Sequence, residues 1–111
     1  MYKRQGTNDA DMVLAGNTVR KNKGGLAFAL NGQVVGELPL PVAGLMSTES
    51  AETVEEKLQA LKAALKAHGI SEDIDAFMTL AFVSLPVIPK LRLNTYGIVD
   101  VDAQRIVPAV F

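Results

Sequence analysis

The hydrophobic pattern of the chain changes period several times, and each change marks an element. Between Ser50 and Gly69, Val54, Leu58, Leu61 and Leu65 recur at three- and four-residue spacing, which lays one apolar stripe along a helix. Glu52, Glu55 and Glu56 crowd its start, and Lys62, Lys66 and His68 crowd its end, as the helix dipole favours. Ser47, Thr48 or Ser50 can cap it, and Gly69 stops it. Earlier, "TNDADM" opens a shorter helix with Asn8 as cap and Asp9 and Asp11 in the first turn. Met12, Ala15 and Val19 share a face, Lys21 and Lys23 fall in the last turn, and Gly24-Gly25 end it. Gly16 costs that helix about 1 kcal/mol against alanine and reads as a close-packing site.

Between the two helices the period shortens. "LAFALNGQVVGEL" places Asn31-Gly32 between apolar runs, the signature of a hairpin with a type I′ turn. Its first arm, Leu26 to Leu30, is apolar on both faces, which predicts an inner strand buried on both sides. Pro39 and Pro41 then force the chain out of the sheet and into an extended run, and Gly44 permits a sharp bend. Beyond Gly69, periodicity leaves an all-apolar run open between a short buried helix and a buried strand; the acidic cap Asp75 before it favours helix through Val83, followed by an extended proline-rich segment. The tail "YGIVDVDAQRIVPAV" reads as two strands around Asp102-Ala103-Gln104. The order is helix, hairpin, helix, apolar segment, hairpin. It predicts an α/β or α+β layer, a small mixed sheet with helices packed on it, in one domain.

Composition narrows the function. Eleven basic and twelve acidic residues leave a net charge of −1, and aromatics make up 5% with no tryptophan. Neither the basic footprint nor the stacking platforms of a nucleic-acid partner are present. The longest apolar run, Ala76 to Pro89, falls short of the ~20 residues of a membrane helix, and no signal-peptide pattern follows "MYKRQGTNDADM", so no membrane partner is expected. Zero cysteines remove disulfides, thiolate ligands and thiol nucleophiles, and accord with a cytosolic setting.

The remaining candidates for chemistry are few. His68 is the only histidine and stands where a helix C-terminus favours a cation, so it reads as a surface or capping residue and not a metal ligand. Asp100 and Asp102, two apart on a predicted strand, would share a face and so resemble a cation or proton-sharing pair; the turn beside them favours a solvated edge. Asp73 and Asp75 read as loop and cap residues. Gly24-Gly25 lies between helix and strand, the reverse of the order that aims amides at a phosphate, and Asp9 and Asp11 would repel an anion at the first helix. Ser47 has no histidine nearby in sequence and no nucleophile-elbow glycines around it. No catalytic residue and no metal site are expected in this chain.

Three strings point further: "GTNDADM", "GGLAFALNGQVVGELPLPVAGLMS" and "FMTLAFVSLPVIPKLRLNTYGIVDVDAQRIVP". In this order and spacing they resemble the C-terminal domain of bacterial adenine deaminases, across roughly Gly6 to Pro108. The resemblance implies a cytoplasmic enzyme of the amidohydrolase superfamily that hydrolyses adenine to hypoxanthine and ammonia. Its catalytic histidines and aspartate sit in a preceding barrel with a divalent metal (manganese, iron or zinc), and none of them maps here. This chain is thus expected to be an accessory fragment, inactive alone, over residues 6–111. The family carries a histidine-rich motif and an apolar strand just before "GTND"; here "MYKRQ" stands instead. Residues 1–5 therefore read as a foreign leader that leaves a sheet edge unpaired.

The segment Pro39 to Ser47 has nothing for acid, base or metal chemistry, but ends in an apolar tip. Gly44, Leu45, Met46 and Ser47 are expected to pack against the barrel, near its substrate mouth or at a subunit contact in a homo-oligomer; the alternative is a loop packed only on its own domain. Two other readings stand beside this one. The first is a free-standing interaction module that pairs through its edge or its Leu45-Met46 tip; the second is a cation enzyme built on Asp100 and Asp102.

Overall fold

A computed structural model describes residues 5–71 and 73–108, and the chain divides into two compact units, residues 5–74 and 75–108. Most of the expected leader, at residues 1–4, and the last two positions of the expected tail, 109–110, lie outside the described residues, as does position 111.

The first unit holds helix α1 (Asp9–Lys21), the strands β1 (Gly25–Leu30) and β2 (Gln33–Pro39), and helix α2 (Ala51–Ala67). Asn8 caps α1, its side-chain oxygen accepting the Asp11 N–H at 2.8 Å. The end of α1 differs from the sequence expectation. Lys23 lies beyond the last turn in the left-handed region, at φ 60°, while the Gly24 N–H bonds Val19 C=O and the Lys23 N–H bonds Arg20 C=O. That pair of bonds is a Schellman closure with lysine where glycine is usual, which releases Gly24 for another use.

β1 and β2 form the expected hairpin, with Asn31 at φ 52° and Gly32 at φ 76°, the two positive values of a type I′ turn. A bulge between Phe28 and Ala29 shifts the register, and from Gly36 to Pro39 pairing with β1 is regular. The alternation there sorts the helices onto opposite faces. Glu37 reaches Asn22 at the end of α1, at 2.7 Å, whereas a Cβ on Gly36 would point into Leu61 of α2, 2.7 Å from its Cδ1. The stripe predicted for α2 is the one that packs: Leu61 and Leu65 are buried with Leu38 of β2, and Val54 and Leu58 are half-buried. Each buried leucine contributes about 1.5–3 kcal/mol. Ser50 is the cap of α2, and Gly69, at φ 90°, closes its end through the Ile70 N–H to Leu65 C=O and Gly69 N–H to Lys66 C=O bonds.

β1 was expected as an inner strand. Among the described residues it pairs with β2 alone, so it is an edge, although all six of its residues are half-buried. Apolar character on both of its faces answers to covering helices rather than to strands on both sides.

The second unit holds α3 (Ala76–Phe82) and an antiparallel sheet β3 (Leu91–Asn94), β4 (Gly97–Asp100) and β5 (Arg105–Val107). Asp75 caps α3, accepting the Met78 N–H at 2.9 Å. The segment after it, expected to be extended, turns instead through Leu85 N–H to Phe82 C=O and Ile88 N–H to Leu85 C=O bonds before entering β3. β3 itself was hidden in the sequence because only four residues separate Pro89-Lys90 from the Thr95-Tyr96 turn. The α+β class holds, with every strand pair antiparallel among the described residues and the strands shared between two small sheets.

Candidate functional site

The loop between β2 and α2 is built upward from two glycines. Pro39 ends β2 where the ladder does not use its missing N–H; the bonded position is the next one, Leu40 N–H to Gly24 C=O at 3.1 Å. The chain then folds into a tight turn in place of the extended run expected there. Val42 C=O accepts from both Leu45 N–H and Met46 N–H, and Val42 N–H donates to Met46 C=O, each at 3.1 Å. Ala43 at φ 56° and Gly44 at φ 74° supply the two left-handed positions. Gly44 is the expected bend. Ala43 was not foreseen, and a left-handed alanine costs on the order of 1–2 kcal/mol.

This turn rests on Gly24. A Cβ there would meet the Cα of Gly44 and come within 2.7 Å of Leu40 O and 3.2 Å of Gly44 N, so the two backbones are in direct contact. The Gly24-Gly25 pair, expected to stop α1 and set in the wrong order to cradle a phosphate, is a seat for the loop. The signal was a second and third stop residue after a helix that already closes on Lys23. On this seat Leu45 is 78% exposed and Met46 58% exposed. Ser47 is half-buried, its Oγ accepting the Glu49 N–H at 3.1 Å, and Glu49 in turn binds Lys57 at 2.6 Å.

The other candidates resolve into structural roles. His68 is the C-cap of α2 and lies against Phe28, ring centroids 5.9 Å apart and tilted by 53°. Asp100 ends β4 and accepts the Ala103 N–H at 2.9 Å, while Asp102 sits in the exposed turn, so they do not share a strand face. Asp73 exchanges hydrogen bonds with Ser71 in a loop, and Asp75 caps α3. Among the described residues no three histidine, cysteine, aspartate or glutamate side chains stand together as a metal-ligating group.

One charged residue does more than expected. The Asp11 carboxylate accepts from Gly32 N–H at 2.8 Å, Asn31 N–H at 3.0 Å and the Asn8 amide at 2.9 Å, tying α1 to the hairpin turn. The Asn8 bond first and the Gly32 bond next hold its carboxyl below the ordinary 3.8, with Asn31 adding to them and some loss of hydration opposing. Glu52 is also lowered, by its own backbone N–H and by Ser50 at the start of α2. A shallow cavity of about 260 Å³ opens in the second unit beside Thr79, Phe82, Val83, Ile88 and Arg92. It is mostly apolar, and Arg92 has turned its guanidinium onto the carbonyls of Leu91 and Pro89. Nothing in it arranges a nucleophile or a base.

A family model described as the adenine deaminase C-terminal domain matches residues 4–105. The chain belongs to this family. It is 56% identical to an adenine deaminase of Kosmotoga olearia over 96 residues, 86% of this chain and 16% of that protein. It is 47% identical to adenine deaminase 2 of Carboxydothermus hydrogenoformans over 103 residues, 93% of this chain and 18% of that one. An adenine deaminase of Shigella sonnei is 47% identical over 97 residues, 87% of this chain and 16% of its own. The chain thus spans under a fifth of the length of these relatives. In the first unit of this adenine deaminase C-terminal domain, the Leu45-Met46 turn is an apolar exposed feature held in a fixed shape. No helix among the described residues is long and apolar enough to cross a membrane.

Proposed function

We propose that this chain is an accessory domain of an adenine deaminase, supporting and not performing the hydrolysis of adenine to hypoxanthine and ammonia in the cytoplasm. Family membership and the small share of each relative that it covers support that reading. Displacing an amino group needs an activated water, and a bound metal lowers the pKa of water to about 7. Such an ion needs several ligands, and the described residues offer no group of them. The metal, whether manganese, iron or zinc, belongs in this reading to an amidohydrolase barrel outside this chain.

The observation that carries the domain's own part is the turn seated on Gly24, with Leu45 and Met46 projecting from it. A rigid apolar tip fits a complementary hollow at little entropic cost. Residues Gly44, Leu45, Met46 and Ser47 press on the barrel beside its substrate mouth, where they exclude water from the reaction.

The test uses a full-length chimera, the Kosmotoga olearia enzyme with its matching segment replaced by this chain. The chimera deaminates adenine. Leu45→Asp with Met46→Asp lowers its kcat/KM at least tenfold while circular dichroism stays unchanged. An unaltered kcat/KM removes the loop from the substrate mouth. Turnover of adenine by the purified 111-residue chain supplied with manganese, iron or zinc removes the accessory reading altogether.

A further inference from the structure

The three-stranded sheet of the second unit has a face that nothing in its own unit explains. Register places Leu93, Ile98 and Val107 in one row across β3, β4 and β5, and Leu91, Asp100 and Arg105 in the row beside it. All six project to the same side, an apolar band with one acid and one base at its margin. Leu91 is 48% exposed and Leu93 55% exposed. The opposite side carries Arg92, Val99 and Ile106, and there the β3 end is bordered by the residues of α3 that line the cavity. An antiparallel sheet that meets water keeps one face polar. This sheet has apolar residues on both. None of the buried apolar residues, Leu38, Leu61 and Leu65, belongs to residues 75–108. A unit of this size rarely holds itself together without an outside surface.

We propose that the Leu91-Leu93-Ile98 face is a docking surface for the polypeptide that precedes this domain in the full-length enzyme. The proposal rests on the accessory reading above and adds a second contact to it, separate from the Leu45-Met46 turn. The length of chain outside the structure selects this occupant: matched relatives devote 16–18% of their length to the domain, so more than four-fifths of each lies elsewhere. The band asks for an apolar patch with a polar rim that can meet Asp100 and Arg105.

The chimera described above, carrying Leu93→p-benzoylphenylalanine, tests the proposal. Irradiation is expected to produce a crosslink within one polypeptide, mapped by mass spectrometry to the region before the domain. Crosslinked dimers would make a second copy the occupant and overturn the proposal, and so would the absence of any crosslink. In the chain alone, Leu91→Glu with Leu93→Glu should lower the fluorescence of a bound hydrophobic dye at least threefold. Undiminished fluorescence overturns the exposed band. A chimera that is active and crosslinks from position 45 but not from 93 defeats this inference and leaves the accessory reading intact. A chimera that crosslinks from 93 but is insensitive to the Leu45 and Met46 changes keeps this inference and removes only the loop from the substrate mouth.

Discussion

Asp11 shows how a single side chain can bind elements distant in sequence. Its carboxylate holds two amides of the Asn31-Gly32 turn, some twenty residues away. An asparagine in its place would offer only one acceptor oxygen, so Asp11→Asn is expected to lower the midpoint of urea unfolding at neutral pH. The pH dependence has a definite sign. Because the folded-state pKa lies below the ordinary 3.8, the stabilisation is complete well above that value. It is lost as the pH falls below 3.8 through the lowered folded value, where the folded form at last takes up the proton. Unfolding curves from neutral to acid pH should show a slope in that window that Asp11→Asn flattens. From the sequence Asp11 was legible only as a dipole partner in the first turn, since nothing local reveals which distant amides a carboxylate will meet.

Among the elements, those with a strict period were readable and those defined by contact were not. The stripe of α2, the caps Asn8 and Asp75 and the Asn31-Gly32 turn each depend on neighbours within four residues, and each is found where the pattern places it. β3 is too short to show a period. The loop after β2 takes its shape from Gly24, so proline spacing alone suggested an extended run where a turn forms. The candidate site was legible as a place, from its apolar tip and lack of chemistry, but its support was not. Gly24→Ala tests that support. The new methyl would collide with backbone at Gly44 and Leu40, and φ at Gly24 is 137°. A loss of about 2–4 kcal/mol is expected from thermal unfolding, combining overpacking with a backbone conformation alanine avoids. Equal stability of the variant would mean that the turn is not seated there.

At the scale of the whole chain, stability is unevenly distributed. Every fully buried apolar side chain among the described residues belongs to residues 5–74, at the junction of β2 and α2. Residues 75–108 keep a sheet, a capped helix and a backbone bond from Leu93 N–H to Val83 C=O, but no such centre. Local opening follows buried contact. Hydrogen exchange on the purified chain should therefore show slow amides in α2 and β2, and amides in α3, β3 and β5 exchanging at least tenfold faster. In the full-length chimera the protection of β3 and β4 should rise towards that of α2. Equal protection of both units in the isolated chain would contradict this account.

The bridged turn at Val42 to Met46 has one more consequence. A protease that cleaves after large apolar residues must draw its substrate into an extended cleft, and Leu45 and Met46 offer the right side chains in full view. To enter that cleft the peptide would have to give up three backbone hydrogen bonds and leave its place against Gly24. Brief digestion should therefore spare the bond after Leu45 in the native chain and cut it rapidly once Gly24→Ala has unseated the turn. A cleavage site in plain view would be protected by its curvature alone.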